Sequence, residues 1–280
     1  MSHIRVERTG PDDGVGIITI DRRERFNSLD VETARDLRKA GLGLARDAAV
    51  RVVIIRGAGG VFCSGADLKY IRSGGEASDL GYLHPASRAV PKGYGEVFKQ
   101  ILEYLHATLS EIRRATKPFI AAVDGAAAAG GLGLALACDL VLASERSTFD
   151  YAYFKTGLSG AEGTTFMLPR LLGLGRALDF ALLGPHFTAR DALSARLISA
   201  AYPNESFEGE VMRVAERLAC GPSSAYAAAK RLMNEAATVE RFDRHLDREL
   251  DELARVADGA DFAEGLSGFF EKREPRFGRR

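Results

Sequence analysis

An α/β fold followed by a helical C-terminal part is predicted by three observations. Four short apolar runs, at 15–21, 51–56, 119–123 and 140–143, are rich in β-branched residues. The segments between them carry helical spacing or small-residue turns. Beyond residue 203 only helical patterns remain, with a break at Gly221-Pro222. Taken in order, the run at 15–21 is the first strand, and residues 29–45 form a helix with Asp30 as its N-cap. Residues 51–56 are apolar on both faces, as a covered parallel strand must be. Residues 72–95, rich in Gly, Ser, Pro and charge, read as a surface loop in which Tyr82 and His84 are candidates to cap a pocket. Apolar residues at 97, 101, 102, 105, 109 and 112 give a helix over 97–114. Strands separated by helices imply a layered α/β unit over 1–203, with 204–280 as a helical region.

Composition excludes several classes. The 280 residues carry 38 Lys+Arg and 38 Asp+Glu, so the net charge is zero and no broad basic face awaits nucleic acid. No run reaches the roughly 18 apolar residues of a membrane span, and the N-terminus lacks the apolar stretch of a signal peptide. Cys63, Cys138 and Cys220 are odd in number, far apart and in apolar contexts. They read as buried free thiols of a cytoplasmic protein. None has zinc-site spacing, so no metal is expected.

Two glycine-rich loops carry the chemistry. Gly60–Lys69 follows the strand at 51–56, and the stretch from Gly125 to Asp139 follows the strand at 119–123. Small residues let backbone approach a ligand closely. N–H groups at the start of a helix favour a negatively charged oxygen. Two such groups from separate loops, converging on one carbonyl oxygen, make an oxyanion hole.

The wording of these loops, Phe62-Cys-Ser-Gly-Ala-Asp-Leu-Lys69, Pro118–Gly125 and Ala129–Asp139, resembles the crotonase (enoyl-CoA hydratase/isomerase) superfamily. So do Leu168-Pro-Arg-Leu-Leu-Gly-Leu-Gly-Arg-Ala-Leu178 and Gly268-Phe-Phe-Glu-Lys-Arg273, and the similarity runs from about residue 4 to 275. The resemblance implies a spiral of ββα units with a C-terminal helical trimerisation region. It also implies a homotrimer or dimer of trimers, an acyl-CoA thioester substrate, and no cofactor beyond the coenzyme A of that substrate. By matching position, the oxyanion donors are the N–H groups of Ala66 and Gly130. Arg25, Phe26, Ala66, Asp67 and Leu68 would line the CoA site, with Lys69, Phe269 and Lys272 near its phosphates or adenine.

The chain departs from the two-glutamate hydratase pattern. The positions of both glutamates hold Gly133 and Tyr153. A tyrosine with an ordinary pKa near 10 is a poor base at neutral pH. One carboxylate remains in a suggestive loop, Glu162, although strict length matching puts the acid of related isomerases on Ala161. A single carboxylate suffices to carry a proton between the α- and γ-carbons of an enoyl thioester. His106 lies near the position of a water-activating histidine in the 4-chlorobenzoyl-CoA dehalogenase branch, whose nucleophilic aspartate would fall on Ala161. Asp150, Tyr151 and Tyr153 are further pocket candidates. Three readings follow: double-bond isomerisation or hydration with Glu162, thioester hydrolysis or dehalogenation with His106 and Glu162, and a CoA-ester-binding protein without turnover.

Overall fold

The computed structural model describes residues 2–76 and 94–236, together with Glu264, Glu271, Arg273 and Arg276. Tyr82, His84, Phe269 and Lys272 lie outside the described residues. Six strands form the main sheet: β1 (Ile4–Thr9), β2 (Val15–Ile20), β3 (Val52–Gly57), β4 (Phe119–Val123), β6 (Leu140–Ser144) and β9 (Ala200–Tyr202), adjacent in that order. The β1–β2 pair is antiparallel and every other pair in it is parallel. A second sheet joins β5 (Ala126–Ala128), β7 (Thr148–Asp150) and β8 (Phe187–Thr188). The helices are α1 (Val31–Arg46), α2 (Leu68–Arg72), α3 (Tyr94–Arg114), α4 (Gly130–Ala137), α5 (Thr164–Leu172), α6 (Leu174–Leu182), α7 (Ala189–Ser194), α8 (Phe207–Ala219) and α9 (Ser223–Ala236).

Alternation along β2, β3 and β4 explains why these strands are mostly apolar on both faces. Side chains of successive strand residues point to opposite faces. Ile18, Ile20, Val53, Ile55, Phe119 and Ala121 join one core with Leu37 and Leu44 of α1 and Leu105 and Leu109 of α3. Val15, Ile17, Val52, Ile54, Ile120 and Ala122 join another with Phe207, Val211, Ala215 and Ala219 of α8. Helices therefore cover both faces, and α8, C-terminal to residue 203, supplies one of the covers. Twice the chain runs from a main-sheet strand to a small-sheet strand and into a helix: β4–β5–α4, then β6–β7–α5.

The predicted strands are found within a residue or two, and Asp30 caps α1 by accepting from the Thr33 N–H at 2.8 Å. Two expectations change. The strands β1, β5, β7, β8 and β9 were not predicted. Of the three free cysteines, Cys63 and Cys138 are buried, whereas Cys220, at the C-terminal end of α8, is exposed. Among the described residues no helix is long and apolar enough to cross a membrane.

Buried Lys117 ties the entry of β4 to the end of α1. Its Nζ donates to the carbonyls of Leu44, Asp47 and Val50 at 3.0, 2.7 and 2.6 Å. Burial lowers its pKa, while Asp47 opposes that shift. A Lys117→Met substitution leaves three carbonyls without their donor. It should lower the unfolding free energy by about 3 kcal/mol, measured by urea denaturation.

Candidate active site

The site starts from two one-residue parallel bridges, Leu29 with Ala66 and Cys63 with Ala127. At the first, the Leu29 N–H donates to Gly65 O (2.8 Å) and the Asp67 N–H to Leu29 O (2.9 Å). Both bonds of Leu29 go to the neighbours of Ala66, so the N–H of Ala66 itself points away from that partner. Gly130 opens α4, where the first N–H groups of a helix have no intrahelical acceptor. Among the described residues neither the Ala66 nor the Gly130 N–H donates a hydrogen bond.

Close packing brings the two loops together. A Cβ on Gly65 would lie 3.0 Å from Gly130 N, and a Cβ on Gly131 would lie 2.0 Å from Cys63 O. Glycine at 131 is therefore required by contact, since any side chain would push α4 off the 57–65 loop. Residues 130–137 are buried throughout, so α4 is apolar on every side and its positive N-terminal end faces this junction in a low-dielectric setting.

Glu162 is brought to the same place. Its side chain is 3% exposed, and its Oε1 lies 2.9 Å from where a Cβ of Gly130 would stand. A Cβ on Gly133 would lie 2.5 Å from both Glu162 Cβ and Glu162 O. The space that a side chain at 133 would use is thus filled by Glu162. The residue has φ 48, a left-handed conformation that costs a non-glycine residue about 1–2 kcal/mol. Strain of this kind persists only where neighbours enforce it, and here they are visible. The Tyr153 hydroxyl sits between Glu162 Oε2 and the Ala161 carbonyl, 3.2 Å from the latter. Thr164 Oγ1 donates to the same carbonyl (2.7 Å), and the Tyr151 hydroxyl donates to Ser159 O (2.7 Å).

Burial raises the Glu162 pKa to about 7, although the hydrogen bond from Tyr153 pulls it down. Burial, followed by the charge of Glu162 and that hydrogen bond, raises the Tyr153 pKa, so its proton stays on the phenol. Burial pushes the Cys63 thiol up to about 12. The carboxyl is thus the group near the paired amides that titrates around neutral pH. Tyr153 is its hydrogen-bond donor rather than a base.

Other expected residues divide. Phe26 (66% exposed), Leu68 (49%) and Lys69 stand on the surface around Ala66, open to a ligand. Asp67 differs from its expected place lining the CoA site. It is buried, with its carboxylate bound by Arg22 and Arg25 and by the N–H groups of Lys69 and Tyr70 at the start of α2. Burial pushes its pKa up, but the hydrogen bonds from Arg25, Tyr70 and Arg22 outweigh that and hold it below the usual carboxylate range. Arg25, half-buried, is turned toward Asp67. His106 is on the exposed side of α3 and makes no hydrogen bond among the described residues. Asp150 accepts from the Ala152 N–H and pairs with Lys155. Sequence reasoning missed Arg22 and Asp30 as partners of this cluster, since a run such as Arg22-Arg23-Glu24-Arg25 gives no sign of which guanidinium turns inward. Among the described residues no group of three His, Cys, Asp or Glu could hold a metal ion.

Known proteins of one family resemble this chain along nearly its whole length. A family model described as enoyl-CoA hydratase/isomerase matches residues 10–89 and 93–280. The chain is 33% identical to a 1,2-epoxyphenylacetyl-CoA isomerase of Escherichia coli (strain K12), over 94% of this chain and 95% of the relative. It is 28% identical to a 4-chlorobenzoyl coenzyme A dehalogenase of Arthrobacter, over 96% and 91%. The solved enoyl-CoA hydratase from Bacillus anthracis superposes with a TM-score of 0.86 at 28% identity, covering 99% of both chains. With a family match along nearly its whole length, and with paired loop amides at the junction that the motifs marked, this chain belongs to the enoyl-CoA hydratase/isomerase family of the crotonase superfamily.

Proposed function

We propose that this protein isomerises the double bond of an enoyl-CoA thioester, with the Ala66 and Gly130 N–H groups as oxyanion hole and Glu162 as proton carrier. One observation carries the reading: a buried carboxylate lies against Gly130, whose N–H, like that of Ala66 on the touching loop, finds no acceptor among the described residues, and burial raises the pKa of that carboxylate to about 7. A 3-enoyl thioester loses an α-proton to Glu162. The C–H electron pair moves into the carbonyl, and the oxygen takes the charge between the two N–H groups. The same proton then adds at the γ-carbon as the double bond closes into conjugation with the thioester. Atoms and charge balance with one carboxylate and no cofactor beyond the substrate's coenzyme A. The two amides act on the oxygen in its enolate form, which is where such donors are most effective. Phe26, Leu68 and Lys69 supply an exposed apolar and cationic rim for the CoA portion.

The absence of a carboxylate at positions 133 and 153 favours this reading over hydration. The exposed position of His106 gives the hydrolytic reading no contact with Glu162 among the described residues. Self-association as a homotrimer or dimer of trimers is proposed with it. It is supported by the exposed Phe166, Leu171, Leu174, Leu178 and Leu182 of α5 and α6, an apolar surface of the kind that marks interfaces. Light scattering should give a multiple of three chains, and a single-chain mass would remove that part.

Glu162→Gln should lower kcat for 3-enoyl-CoA isomerisation by about 10²–10⁴-fold, followed by the absorbance of the conjugated 2-enoyl thioester. Full turnover in that variant would sink the assignment, and turnover of crotonyl-CoA alone would favour hydration. Activity should rise with pH through about 7, since the base is the ionised form and burial has raised its pKa. The Tyr153 hydroxyl stabilises that ionised form, so Tyr153→Phe should move the rising limb of the kcat profile to higher pH. Recovery of rate at alkaline pH is the expected signature, and an unmoved limb refutes the role.

A further inference from the structure

We propose that Asp67, gripped by Arg22 and Arg25, is a positioning residue that fixes the direction of the Ala66 N–H. The proposal rests on the oxyanion reading above. Segment 64–67 is tied to segment 26–29 by three backbone bonds: Ser64 N–H to Phe26 O (3.2 Å), Leu29 N–H to Gly65 O (2.8 Å) and Asp67 N–H to Leu29 O (2.9 Å). Segment 26–29 has no regular structure to stiffen it, and Phe26 and Asn27 are both left-handed, at φ 52 and 54. Side chains hold it instead. The Asn27 side chain accepts from the Arg22 N–H (2.8 Å) and donates to the Ala58 and Val61 carbonyls (2.9 and 2.6 Å).

Arg22 then joins both segments. Its Nη1 donates to Ser28 O (3.0 Å) and to Asp67 Oδ2 (2.7 Å), and its Nη2 pairs with Asp30 (2.7 Å). Arg25 closes on Asp67 from the other side, with Nε to Oδ2 at 3.1 Å and Nη2 to Oδ1 at 2.5 Å. The same carboxylate accepts from the Lys69 and Tyr70 N–H groups (2.9 and 3.0 Å) and starts α2. The residue next to the donor is therefore fixed in all directions by one buried carboxylate.

Two considerations make this a positioning device. Asp30, Asp67, Arg22 and Arg25 sum to zero charge, so the cluster acts on an anion through geometry and not through net field. A buried ion pair adds little stability over an apolar replacement of the same volume, so stability alone gives a poor reason for one here. A hydrogen-bond donor, by contrast, loses strength steeply as its angle opens, and working sites tolerate errors of only about 0.5 Å or 10–20°.

The test reads the carbonyl directly. Hexanoyl-CoA labelled with ¹³C at the thioester carbon has no double bond to react, and its C=O stretch is measured by infrared difference at saturating protein. In the wild type, binding should move the stretch to lower frequency. Asp67→Asn should bind the ester and lose most of that shift, with kcat for the active ester down by at least about 10-fold and at most the roughly 10²–10³ of a donor lost outright, and KM little changed. Arg25→Gln removes one arm of the grip and guards against a misfolded Asp67→Asn, with folding checked by circular dichroism. An undiminished shift in either folded variant overturns the proposal. No shift in the wild type removes the oxyanion reading itself, a different failure.

Discussion

Two bridges of a single residue pair each, Leu29 with Ala66 and Cys63 with Ala127, hold the chemistry of this molecule in register. In a parallel pair only alternate residues bond to the neighbouring strand. The Leu29 bridge uses the Gly65 carbonyl and the Asp67 N–H on either side of Ala66 and leaves the Ala66 N–H between them pointing away from Leu29. The Cys63 bridge draws the 57–65 loop onto β5, and the Ala128 N–H donates to Cys63 O at 3.0 Å. From β5 the chain turns directly into α4, so the first amide of that helix arrives beside Gly65. The large sheet and its covering helices supply the rigidity, and the bridges supply the aim.

Glu162 shows what such a site costs its fold. A carboxyl whose pKa is raised in the folded state binds its proton more tightly there than in the unfolded chain. Its contribution to stability is fully present below the unfolded value near 4.5 and is lost as pH rises through the folded value near 7. Above that value the protein carries a buried charge as well as a left-handed backbone at the same residue. The hydroxyl of Tyr153 and the bonds converging on Ala161 offset part of this.

Much of the scaffold was legible in the sequence because burial on both faces leaves a plain mark. Val52–Gly57 and Phe119–Val123 are runs that no half-exposed strand would need. The small sheet was not legible, because Ala126–Ala128 is an alanine run with no strand preference of its own and takes its shape from pairing with Thr148–Asp150. Glycine spacing marked the two loops, since close approach of backbone is a property of composition. The left-handed backbone at Glu162 and the burial of its carboxyl could not be read from the length of the loop. Asp67 resembled a ligand-facing residue, and only the fold reveals the two arginines that claim it.

The contact between Gly133 and Glu162 also constrains how this family member can change. A side chain at 133 would occupy the place of Glu162 Cβ and the Glu162 carbonyl. Part of what that side chain would meet is backbone, so the path of the chain through Glu162 depends on glycine at 133 whatever residue stands at 162. The identity of residue 133 accordingly sets the background in which any change at 162 is judged.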